Sequence, residues 1–130
     1  MPVIPDLPWT ARRAFDGPGT VLYTELHLRR LRDVPAFMAT SLTILRQVAR
    51  SPGARAAVLR AQPLARSFAT VSWWDDEAAM RTFARTDPHR TAMRRWAPRL
   101  SSFGNSAVPS TGTVPTVDAA ARARAAAPPA

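Results

Sequence analysis

The sequence predicts an α+β domain in which one antiparallel sheet carries its helices on a single face. Three observations lead there. Two stretches, residues 20–28 (TVLYTELHL) and 66–74 (RSFATVSWW), alternate and are rich in β-forming residues. Between them, Val34, Phe37, Met38, Leu42, Leu45 and Val48 recur at helical spacing. The segments then follow one another as strand, helix, strand, strand, helix, strand. That order is a split βαβ, a ferredoxin-like arrangement with a four-stranded antiparallel sheet.

Each element has its own reason. On the first strand Leu22, Leu26 and Leu28 share one face, and Val21, Tyr23, Glu25 and His27 share the other. Asp33 is placed to cap the first helix, with Val34-Pro35 in its opening turn, where proline is tolerated. Ser51-Pro52-Gly53 stops that helix near Arg50. Residues 55–61 form a modest strand weakened by alanine, and Gln62-Pro63-Leu64 is a turn. In the next strand Phe68, Thr70, Ser72 and Trp74 face one way and Ala69, Val71 and Trp73 the other. Asp75 or Asp76 caps a second helix with Ala79, Met80 and Phe83 in its core. Thr86-Asp87-Pro88 breaks it, and Asp87 with Pro88 opens a further helix that runs to about Trp96. Residues 99–108 hold a last strand whose large apolar residues are Leu100 and Phe103.

The flanks read differently. Residues 1–19 carry Pro2, Pro5, Pro8 and Pro18 with Gly17 and Gly19, which suits an irregular arm. Residues 105–130 are rich in Ala, Pro, Ser and Thr and are expected to be disordered. The working domain is therefore residues 20–104. Its sheet leaves one face bare, and that face carries large apolar groups from two strands. A bare apolar face marks an interface, so a homodimer with facing sheets is expected.

Composition narrows the chemistry. There is no cysteine, which excludes disulfides, thiolate metal sites and thiol catalysis. The net charge is +9, and every basic residue is arginine. These arginines are dispersed rather than clustered on one face, so no nucleic-acid partner is expected. No run is long enough for a membrane span, and residues 1–10 lack the pattern of a signal peptide; a cytoplasmic protein is expected. Two histidines without carboxylates at ligand spacing leave no metal site.

The chemical candidates cluster in residues 67–93. His89 stands at a helix start, whose partial positive charge favours a neutral imidazole able to exchange a proton near neutral pH. The alternative is a ring packed over the Asp87-Pro88 turn. Glu25 and His27, two apart on one strand face with Tyr23 beyond, form either an acid–base pair or a polar pair between subunits. Trp73 and Trp74 point to opposite faces, one to the core and one to a pocket or partner. Asp75, Asp76 and Glu77 are most simply a solvated cap.

These residues give the chain a resemblance. TVLYTELHLRRLRDVPAF, TSLTILRQVARSPGA and RSFATVSWWDDEAAMRTFARTDPHRTAM together resemble the dimeric α/β-barrel superfamily, in its antibiotic-biosynthesis-monooxygenase-like branch. The resemblance covers about residues 20–104 and implies a homodimer with a pocket between sheet and helices in each subunit. It further implies cofactor-independent oxygenation of an aromatic or polycyclic, polyketide-like substrate, or cyclisation or isomerisation, or binding of heme or another small ligand without turnover. Aligned on the WDDE junction, the tryptophan and histidine of the heme-degrading members fall on Phe83 and Met93, and the first strand has no asparagine to complete their triad. The polyketide oxygenases pair an asparagine with a tryptophan on the third strand; here Thr70 and Ser72 stand beside Trp73 and Trp74. The expected site is therefore His89 or His27 as proton acceptor with Glu25, a binding wall of Trp74, Trp73, Tyr23, Phe83 and Met93, and Arg85 or Arg94 as anion stabiliser. No cofactor is required, and heme is the alternative.

Overall fold

The computed structural model describes residues 6–13, 15 and 17–110. The disorder expected for the tail beyond Ser110 lies outside the described residues, as do residues 1–5 of the arm. In chain order the elements are β1 (Leu7–Thr10), β2 (Gly19–Leu28), α1 (Val34–Arg50), β3 (Ala54–Gln62), β4 (Ser67–Trp74), α2 (Glu77–Arg85), α3 (His89–Trp96) and β5 (Leu100–Ser110). Short 3₁₀ turns precede α1, link β3 to β4 and follow α3.

The fold is ferredoxin-like, with one correction to the strand count. Among the described residues the sheet has five strands, in the order β1-β3-β4-β2-β5, all antiparallel. The extra strand comes from the arm. Leu7 to Thr10 pair with Leu59 to Ala56, and Asp6 grips Arg60 through two 2.9 Å hydrogen bonds. Pro8 hid this strand from a composition argument, but an edge strand tolerates a proline. The last strand also runs past position 104, to Ser110, because its whole length follows β2 from Leu28 back to Gly19.

The helices lie against Leu26, Leu28, Ala57, Leu59, Phe68 and Trp74. Phe37 and Trp96 meet edge to face at 5.0 Å in one apolar cluster, and Trp74 and Phe83 pack at 5.1 Å in a second. Two caps differ in execution. Asp76 accepts the backbone N–H of Ala79 at 2.8 Å and starts α2. Asp33 does not cap α1; its carboxylate faces Arg99 at 3.6 Å, since the 3₁₀ turn before α1 already supplies a helical entry.

The opposite face is not bare. Val21, Tyr23, Val71 and Trp73 are buried within the single chain, with Phe15 meeting Trp73 edge to face at 5.2 Å. Arg55 lies 4.9 Å over the Trp73 ring and donates to the Gly17 carbonyl and to Asp75. Arg13 joins the same carboxylate at 2.9 Å. The chain turns into β2 through Gly19, where a Cβ would collide with the Trp74 carbonyl and stand 2.7 Å from Trp73 Nε1. The observation that motivated a sheet-to-sheet dimer, an uncovered apolar face, is thus absent at its centre.

Candidate functional site

A cavity of about 580 Å³ lies between the sheet and the helices. Its floor comes from inward-facing positions of β2, β3, β4 and β5, and its roof from α1, α2 and α3. The walls are mostly aliphatic and aromatic, including Leu22, Ile44, Leu59, Met80, Phe83 and Met93. Such a volume and lining suit a drug-sized apolar molecule. A second groove of about 830 Å³ runs between the end of α1 and α2, but its walls mix Arg46 and Arg50 with Asp75, Asp76 and Asp87 and offer little apolar enclosure.

His89 lines the first cavity and is the only described histidine there. Its Nδ1 stands 2.9 Å from the carbonyl oxygen of Ala84. A carbonyl can only accept, so Nδ1 carries the proton and donates it. In the neutral ring this leaves the lone pair on Nε2, which has no partner among the described residues. Burial is the main influence on the ring and holds its pKa below the ordinary 6.5, against the opposing pull of the Ala84 bond. The expected neutral imidazole thus has desolvation as its main cause, rather than the helix terminus. The ring also packs against Phe83, 4.8 Å between centroids.

Its backbone is held as firmly as its ring. The N–H of His89 donates to Gln47 Oε1 at 2.8 Å, and Gln47 Nε2 donates to the Thr86 carbonyl at 3.0 Å and more weakly to that of Phe83 at 3.4 Å. One side chain of α1 therefore ties down the α2–α3 junction. Asp87 braces the other side, accepting the N–H and hydroxyl of Thr91. These bonds, the hydroxyl's first, hold its carboxyl below the usual carboxylate range.

Of the residues singled out in the sequence, His89, Phe83 and Met93 line this cavity. Trp74 is fully buried behind Phe83, its Nε1 donating to Ser72 Oγ at 2.8 Å. Trp73, Tyr23, Glu25 and His27 lie on the opposite face. There Tyr23 donates to Glu25 at 3.3 Å and His27 Nδ1 meets Ser102 Oγ at 2.9 Å. The structure therefore does not bring the Glu25–His27 pair to His89. Arg85 and Arg94 are exposed, and neither lines the cavity. The arginine that does is Arg81, which is exposed as well and paired with Glu77 at 2.7 Å.

Arg81, Gln47, Thr24 and Asn105 were missed in the sequence. Strand alternation carried the signal for Thr24, which sits between Leu22 and Leu26 on the inward face. For Asn105 there was none, because the last strand has no clear apolar period.

No family profile matches the sequence, and no curated protein matches it. Solved structures do share its fold. A protein of Fusobacterium nucleatum named "putative monooxygenase" is 9% identical with a TM-score of 0.62, over 80% of this chain and 50% of its own. This chain thus spans half the length of that protein. One of Nitrosomonas europaea, named "putative antibiotic biosynthesis monooxygenase", is 16% identical with a TM-score of 0.63, over 80% of this chain and 99% of its own. The heme-degrading enzyme LmHde of Listeria monocytogenes is 17% identical with a TM-score of 0.55, over 76% of this chain and 65% of its own. At such identities these likenesses establish the fold: α+β, ferredoxin-like, of the kind seen in proteins named as antibiotic-biosynthesis monooxygenases.

Proposed function

We propose that this protein is a small-molecule tailoring enzyme, a cofactor-independent monooxygenase acting on an aromatic or polycyclic phenol held in the cavity. The observation that carries the reading is His89, a desolvated imidazole at an apolar wall whose Nδ1–H is committed to the Ala84 carbonyl, leaving Nε2 as base. His89 rather than His27 is assigned as proton acceptor, since His27 lies across the sheet. Phe83 and Met93 hold the ring system. Arg81 takes the place expected of Arg85 or Arg94 beside a developing anion.

The chemistry balances without a further reductant. Nε2 removes a proton from the activated substrate, and the resulting anion gives one electron to dioxygen. The two radicals combine to a peroxide on the ring carbon. That carbon then loses its remaining hydrogen as the O–O bond breaks, so one oxygen stays as carbonyl and the other leaves as water. The protein supplies a base, a fixed orientation and a dry site.

The test is dioxygen uptake with a panel of anthrones. His89→Ala should lower turnover by about a hundredfold or more, with the Soret region blank. The folded pKa of His89 is lowered, so the acidic limb of kcat/KM should fall below pH 6.5. Uptake untouched by His89→Ala would sink the proposal.

A second reading, heme binding without turnover, rests on the same bond. A histidine that donates Nδ1–H to a backbone carbonyl is oriented as metal-ligating histidines are, with Nε2 free to bind iron. The residues fit to that extent; Arg81, the arginine at the cavity, would have to leave Glu77 to meet a propionate. A Soret band in the reconstituted protein that His89→Ala abolishes would select this reading. Cytoplasmic location and a homodimer belong to the proposal as well. Among the described residues no helix is long and apolar enough to cross a membrane. Light scattering that returns one copy removes the homodimer.

A further inference from the structure

Several strand residues bring polar side chains to the floor of the cavity; Ser72, Ser101 and Ser102 already have hydrogen-bond partners, and the others form one rung. In register, Thr70 of β4 stands beside Thr24 of β2, and Thr24 stands beside Asn105 of β5. All three line the cavity. Above and below them on β2 are Leu22 and Leu26, and the next strand contributes Leu59 to the same level. Directly opposed side chains lie about 5 Å apart at Cβ, so the rung offers a short row of donors and acceptors across three neighbouring strands.

Their hydrogen-bonding capacity is unspent. Thr24 and Thr70 are half-buried and Asn105 is exposed at the rim; neither the two hydroxyls nor the Asn105 amide has a hydrogen-bond partner among the described residues. Ser72, the next inward hydroxyl on β4, differs: it is buried and accepts from Trp74 Nε1. Polar groups facing an apolar cavity lose their water when an apolar body fills it, and a ligand that cannot replace those bonds is penalised.

We infer that Thr24, Thr70 and Asn105 determine specificity, reading one edge of the bound molecule. The ligand class is then an apolar fused-ring compound with two oxygen functions in meta relation along that edge. Meta oxygens are separated by nearly the distance between adjacent strands, about 4.8 Å, so each can meet one threonine. Oxygens on opposite edges of the ring system cannot both do so. The inference rests on the reading of this cavity as the ligand site, but it concerns binding alone and needs no turnover.

The experiment is calorimetric titration with 1,3-dihydroxynaphthalene, 1,5-dihydroxynaphthalene and naphthalene. The 1,3-diol should bind about tenfold more tightly than either of the others, the equivalent of one to two net hydrogen bonds. In the Thr24→Val/Thr70→Val variant that preference should shrink to within about threefold, while naphthalene binds as well or better. Valine keeps the branched shape and the β-propensity, and circular dichroism confirms the fold. Thr24→Ser/Thr70→Ser keeps both hydroxyls and should keep the preference. Equal binding of the three compounds, no binding of any, or a preference that survives in the valine variant overturns the inference. His89→Ala separates the two claims: it should lower oxygen uptake by about a hundredfold or more and leave the ratio of the diol affinities intact. A preserved preference without any oxygen uptake in the wild type would instead remove the oxygenase reading alone.

Discussion

Asp75 shows how much one side chain can organise at the residue scale. It accepts from Arg55 at 2.7 Å and from Arg13 at 2.9 Å, joining the arm to the end of β4. Burial pushes its pKa up, but the bonds from Arg55 and Arg13 outweigh that and hold it below the ordinary 3.8. Asp75→Asn should therefore destabilise at neutral pH by about 1–2 kcal/mol, a value discounted for partial exposure. A lowered folded pKa means that this stabilisation is complete above 3.8 and fades as pH falls through the folded value. Denaturation of the two proteins should thus differ at pH 7 and converge as the pH falls from 3.8 through the lowered folded value. A constant gap would place the cost elsewhere. The sequence showed Asp75 only as a helix cap. Arg55 lies 20 positions away, and no local pattern links the two.

At the scale of the element, the α2–α3 junction is where local signals and tertiary contacts divide. The break at Thr86-Asp87-Pro88 and the capping role of Asp87 were legible, because turn chemistry is a property of neighbouring residues. The clasp from Gln47 was not, for it lies three turns along another helix and offers an amide like any other. That amide nevertheless makes three hydrogen bonds to the backbone of the junction. Gln47→Ala should cost about 1–3 kcal/mol and speed hydrogen exchange at the His89 amide more than in β2 or β4. It should also lower turnover through KM and kcat together, since the base is displaced rather than removed. Unchanged exchange at His89 would show that packing against Phe83 alone holds the junction. The strands divide in the same way. β2 and β4 were visible by alternation, whereas β1 was concealed by Pro8 and became a strand only because β3 presented an edge to it.

At the scale of the whole fold, among the described residues, the sheet carries helices on one face, while on the other Phe15 of the arm and Arg55 pack over Trp73. The helical side is the incompletely filled one. That asymmetry bears on function, because a space of about 580 Å³ in a domain this small forgoes contacts that side chains could have made. The succession of β2 to β5 with their helices, and the placing of those helices on one face, followed from the pattern of apolar residues. The space did not, since it depends on how far α1 stands from the sheet, which no periodicity reports. Ser41, half-buried on α1, lines it. Ser41→Phe should fill part of the volume and raise stability by about 0.5–2 kcal/mol, several degrees in Tm for a domain of this size. The same change should erase ligand-induced stabilisation. For the wild type, 1,3-dihydroxynaphthalene at ten times its Kd should add about 1.4 kcal/mol by mass action; for the variant it should add nothing. If the helices instead close onto the sheet in solution, the added ring overpacks the core, and Ser41→Phe loses about 1–3 kcal/mol. The sign of that one Tm shift therefore decides whether the space between α1 and the sheet stands open to a ligand.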